Sequence, residues 1–134
     1  MTLKIDPIKD KAPEIIEAIM ASEDMPEKMD LNLQIRLCVE EVVTNICNYA
    51  YEDGAGGVMV TTKIVDGMLH IIFQDSGVPF NPLVKEDPDT TLSAEDRDIG
   101  GLGIFLCKQL MTEIHYEHKD TYNILTLCQS LKDA

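Results

Sequence analysis

The alternation of apolar and polar positions over residues 2–5 predicts a short strand, interrupted by Pro7, whose missing amide cannot join a ladder. Ile15, Ile16, Ile19 and Met20 then fall on or near one face of a helix over residues 13–21. A linker with Pro26 leads to Asp30, a residue suited to cap a long helix that runs to about Tyr51 and closes at Glu52-Asp53-Gly54. Ile35, Val39, Val42, Ile46 and Ala50 recur at helical spacing, so this helix should pack on a sheet.

Residues 58–65 and 68–75 read as two strands, and Asp66-Gly67 between them is a hairpin signal. Residues 76–99 hold Pro79, Pro82 and Pro88 with no periodicity, which makes a long loop of the kind that forms a lid. Gly100-Gly101-Leu102-Gly103 opens a helix over 104–111, and strands 114–119 and 123–129 follow across Asp120-Thr121-Tyr122. Hairpin-joined strands and three helices predict an α+β fold, a two-layer α/β sandwich whose mostly antiparallel sheet is covered on one face.

The chain's 134 residues suit one domain, 1–134, that carries any activity by itself. No apolar run approaches the roughly 20 residues of a membrane span, and the N-terminus lacks a basic-then-apolar leader, so the expected location is the cytoplasm. A net charge of −13 opposes direct nucleic-acid binding, which needs cations against phosphates, while it permits a basic protein partner. Cys38, Cys47, Cys107 and Cys128 lack C-x-x-C spacing and read as reduced core residues. His70, His115 and His118 pair with no cysteine or carboxylate at metal-ligand spacing and read as solvated or packed.

Glu41, Asn45 and Asn48, spaced i, i+4 and i+7, form one polar stripe on the long helix. An ordinary solvated face would look the same. The asparagines nevertheless offer uncharged oxygens that suit a hard cation, and a glutamate one turn earlier suits a base. Asp75, at a strand end before Ser76-Gly77, is either a turn residue or an acceptor for an exocyclic amine such as adenine's, with Gly77 letting a ring approach the backbone. The glycines at 100, 101 and 103 make either a flexible connection or a set of amides free to meet phosphate.

The order of these signals is more specific than any of them alone. "EEVVTNICNYAYED", "QDSGVPFNP", "IGGLGIFLCKQLM" and "YNILTL", spanning residues 37–127, together resemble the GHKL (Bergerat-fold) ATPase motifs in the form used by the anti-sigma-factor serine kinases. The resemblance implies that ATP and Mg²⁺ are bound, with Asn45 as the metal ligand bridging to phosphate and Glu41 as the catalytic base. It further implies that Asp75 holds the adenine amine beside Gly77, that Gly101, Leu102 and Gly103 cradle phosphate, with Asn48 also at the nucleotide site, and that residues 76–99 form the ATP lid. Thr126 matches a position that supports the adenine-binding aspartate, or is only a strand former. Many such relatives carry arginine where this chain has Ile99, and Arg97 is its nearest basic residue. By resemblance the chain is a protein serine/threonine kinase that phosphorylates a STAS-type anti-sigma-factor antagonist. Sequestration of a sigma factor and a homodimeric assembly belong to the same resemblance. The alternative is a non-catalytic module in which ATP orders the lid and so creates a partner surface.

Overall fold

The computed structural model of the chain describes residues 1–52, 55–84 and 99–132. Five strands, β1 (Thr2–Ile5), β2 (Val58–Val65), β3 (Met68–Asp75), β4 (Glu113–Lys119) and β5 (Tyr122–Ser130), form one antiparallel sheet in the order β1-β2-β3-β5-β4. Three helices, α1 (Ala12–Met20), α2 (Met29–Tyr49) and α3 (Ile99–Leu110), complete the α+β sandwich. Alternation decides which sheet face they cover. Val58, Val60, Leu69, Ile71, Phe73, Leu125 and Leu127 point one way and are buried against Ile15, Ile19, Ile35, Val39, Val42 and Cys107 of the helices. Among the described residues no helix is long and apolar enough to cross a membrane.

Two local expectations are corrected. Helix α2 begins at Met29, after Lys28, and ends at Tyr49; Asp30 is not the cap but lies in the first turn, where its charge faces the positive end of the helix dipole. The glycines of 100–103 lie inside the first turns of α3 rather than before it. The β2–β3 hairpin is as expected, with Asp66 and Gly67 both at positive φ (52° and 74°), the geometry that matches strand twist. Asp120 and Thr121 repeat it between β4 and β5, so Tyr122 belongs to the strand.

Among the described residues no helix packs on the other sheet face. Cys128 is register partner to His70 on one side and Glu113 on the other, and His115 lies close by, a juxtaposition across three strands that spacing along the sequence does not show. Cys38, Cys107 and Cys128 are buried and Cys47 is half-buried, all as free thiols.

Candidate functional site

Strand β3 ends at Asp75, which the sheet register sets beside Asn123 at the start of β5. Both side chains point to the helix-covered face and both are 6% exposed, so each needs partners. Asp75 Oδ1 accepts from the Gly77 amide at 2.9 Å and from Asn123 Nδ2 at 3.0 Å. Asn123 Nδ2 also donates to the Val78 carbonyl at 3.0 Å, and its Oδ1 accepts from the Phe80 amide at 3.2 Å and from the Tyr116 hydroxyl. Burial, with the Asp75 charge adding to it against the opposing contact with Phe80, holds the Tyr116 phenol above its ordinary pKa, which keeps it a donor. Asp75 Oδ2 has no hydrogen bond from the described residues, so one acceptor of a rigidly held carboxylate remains available.

That carboxylate lines a hollow of about 500 Å³, counting space open to solvent. Ile46 and Tyr49 of α2, Val78 and Phe80 of the following loop, and Ile104 of α3 supply apolar walls, while Asn45, Asp75 and Asn123 supply polar groups. Mostly apolar walls with a few convergent polar atoms are what small-molecule sites present.

Gly77 lets the backbone come close, though to a different neighbour than a ring. A methyl group there would overlap the Ala50 carbonyl at the end of α2, and the adjoining Val78 amide donates to that oxygen at 2.8 Å. The loop is thereby anchored to the helix. Tyr51 adds a second anchor, its hydroxyl accepting from the Ser76 amide at 2.9 Å and donating to the Gly57 carbonyl at 2.6 Å.

At the edge of the hollow, Asn45 Nδ2 donates to Oε1 of Glu41, one turn earlier on α2, at 3.2 Å. This leaves Asn45 Oδ1 with no hydrogen bond from the described residues, an uncharged oxygen at the edge of the hollow. The Glu41 carboxylate lies directly against Gly103 of α3, where any Cβ would overlap it. So Asn45, Asp75 and Gly77 come together at the C-terminal end of α2, while Glu41 and Gly103 meet in a separate hollow lined also by Leu37, Cys38 and Leu110. Gly101 and Leu102 enter only as first-turn residues of α3.

Two expected residues are not brought in. Thr126 pairs with Ile72 and His115, on the sheet face opposite Asp75, because an odd spacing from Asn123 inverts the direction of a strand side chain. Its expected role of supporting Asp75 is filled by Asn123, which sequence reading missed; the available signal was a polar residue at the inward phase of the Asn123-Leu125-Leu127 alternation. Asn48 lines a separate hollow with Lys9, Cys47 and Tyr51. Of the expected lid, residues 76–84 are described and run past the hollow to a 3-10 turn (Pro82–Val84), whereas Arg97 lies outside the described residues.

Asn123→Ala should destabilise the domain by about 1–3 kcal/mol or more, because the Phe80 amide, the Val78 carbonyl and the Tyr116 hydroxyl lose a shared partner. Urea unfolding measures it. A variant as stable as wild type would show that Asn123 does not organise the strand ends.

A model of the family described as "Histidine kinase-like ATPase domain" matches residues 10–129. The serine/threonine-protein kinase BtrW of Bordetella bronchiseptica is 26% identical over 98 residues, 72% of this chain and 69% of BtrW. The serine-protein kinase RsbW of Bacillus cereus is 28% identical over 95 residues, 68% of this chain but only 59% of RsbW, so the match spans about three-fifths of that relative. Among solved structures, the catalytic domain of histidine kinase ThkA covers 97% of this chain and 97% of its own, with TM-score 0.54 at 13% identity. A blue-light activated histidine kinase of Erythrobacter litoralis covers 92% of this chain and 41% of its own, with TM-score 0.59 at 20% identity. These structures share the fold.

Proposed function

The chain belongs to the histidine kinase-like ATPase domain family, and from that membership we propose that it is a Mg-ATP-dependent protein serine/threonine kinase acting on a STAS-type anti-sigma-factor antagonist. The observation that carries this reading is the half-saturated Asp75 carboxylate in a mostly apolar hollow whose edge also holds Asn45, with Glu41 one turn earlier on α2. The relatives BtrW and RsbW, both named as kinases of serine or of serine and threonine, support a hydroxyl as acceptor.

In this reading the adenine amine donates to Asp75 Oδ2 while apolar walls take the ring. Magnesium fits the donor set, since Asn45 offers one neutral oxygen and the cation prefers to complete its shell with phosphate oxygens and water. When bound it neutralises phosphate charge. The amides of the glycine-bearing first turn of α3 face phosphate at the positive end of the helix dipole. Glu41 accepts the proton of the incoming serine hydroxyl as its oxygen bonds to the γ-phosphorus; the bond from that phosphorus to the bridging oxygen breaks, and ADP leaves. Sigma-factor sequestration and a homodimer are further parts of the proposal, and the acidic net charge of −13 suits a basic partner surface.

The test is incubation with γ-labelled ATP and a candidate STAS partner, with label on a partner serine as the expected result. Tight ATP binding with no label on any partner would instead establish a nucleotide-gated binding module, a reading that Ile99 supports by standing where the resemblance implies an arginine. Both readings make residues 76–99 a lid. Hydrogen exchange in residues 76–84 should slow when a Mg-ATP analogue is added, as the loop that walls the hollow closes on its ligand. Equal protection with and without the analogue would rule a lid out.

A further inference from the structure

On the open face of the sheet, three strands bring together residues far apart in sequence. Cys128 of β5 stands between Glu113 of β4 and His70 of β3 in the register, and His115 follows Glu113 two positions along, on the same side of β4. One ligand-capable atom from each of Glu113, His115 and Cys128 lies within 4.8 Å of the other two. His115 Nε2 is already 3.8 Å from Glu113 Oε2. On the far side of the sulfur, His70 Nδ1 is 3.4 Å from Cys128 Sγ.

We propose that Cys128, His115 and Glu113 form a zinc(II) site on this face, with His70 as the hydrogen-bonding partner that orients the sulfur. Thiolate, imidazole and carboxylate are zinc's own ligand types, and bond lengths of about 2.0–2.3 Å would draw the three atoms together by modest side-chain rotation. A soft sulfur ligand discriminates against Mg²⁺ and Ca²⁺, so this site and a magnesium nucleotide do not compete for one ion. The site is reachable, because the His115 and Glu113 side chains are 62% and 54% exposed while Cys128 is buried beneath its neighbours. Binding forms the S–Zn bond, releases the thiol proton to solvent, and leaves a fourth position for water. As a simple surface pair, His115 and Glu113 would contribute little, since exposed ion pairs are screened.

The bound ion would tie edge strand β4 to β5, on the face opposite Asp75 and Asn123. It therefore acts on the sheet rather than on the nucleotide hollow, and it stands whether or not the chain is a kinase.

The test titrates metal-stripped protein with Co²⁺ as the spectroscopic probe and then with Zn²⁺ in competition. Wild type should develop a thiolate-to-cobalt charge-transfer band, with visible bands of four-coordinate cobalt, which Zn²⁺ abolishes. Cys128→Ser should lose the charge-transfer band. His115→Ala, at an exposed position that folding does not need, should weaken Zn²⁺ by about 100-fold or more, and His70→Ala by about 10- to 100-fold. Zn²⁺ should raise the unfolding midpoint of wild type and not of His115→Ala. No band in wild type, a band that survives Cys128→Ser, or unchanged Zn²⁺ affinity in a folded His115→Ala would overturn the site.

Discussion

Glu41→Ala should bind Mg-ATP within a few-fold of wild type and transfer phosphate to its partner about 10²- to 10⁴-fold more slowly. The split follows from where the side chain lies. Asn45, not Glu41, borders the hollow that holds Asp75, while the Glu41 carboxylate rests on Gly103 and accepts a hydrogen bond from Asn45 at 3.2 Å. Removing Glu41 leaves every hydrogen bond of the Asp75 cluster untouched. Gly103→Ala should reproduce part of the loss, because the added methyl overlaps the carboxylate and must displace it. Asn45→Ala should differ from both, with metal-dependent affinity and transfer falling together. The measurement is single-turnover transfer from γ-labelled ATP alongside calorimetric binding. Equal labelling rates in wild type and Glu41→Ala would remove Glu41 from the chemistry.

Asp75→Ala should lower ATP affinity by about 10- to 100-fold, the equivalent of the roughly 1.5–3 kcal/mol that a hydrogen bond to a charged group contributes. The aspartate is buried, its Oδ1 is saturated by Gly77 and Asn123, and its remaining oxygen has no donor among the described residues. An acceptor so placed selects a ligand that brings an N–H. Adenine presents an amine there, while guanine presents a carbonyl, so GTP should bind wild type weakly and gain relative to ATP when the carboxylate is gone. Calorimetry with both nucleotides decides, and equal affinities for ATP and GTP in wild type would refute adenine recognition by Asp75. Asn123→Ala separates structure from recognition, because it loosens the carboxylate without deleting it.

The elements themselves were legible because their signals are local. Helical spacing of Ile35, Val39 and Val42 needs only 3.6 residues per turn, and all three are buried. The Asp66-Gly67 turn needs only two residues willing to take positive φ. Glu41 and Asn45 could be paired from a one-turn spacing, and their hydrogen bond is that spacing expressed. By contrast, the start of α2 at Met29 shows how little a single good capping residue decides when the preceding backbone already enters the helix.

What the tertiary structure decided lies wherever one strand or helix meets another. Asp75 finds Asn123 across 48 residues through the β3–β5 register, and the same register turns Thr126 to the opposite face. Gly103 is required by a side chain on another helix, a demand that no reading of the glycines along α3 alone could show. Cys128 meets His70, His115 and Glu113 only once β3, β5 and β4 lie side by side. Periodicity tells which way each residue faces within its own element. It carries no information on which residue of a neighbouring strand stands opposite, because that pairing is selected by the burial of whole sheet faces against the helices.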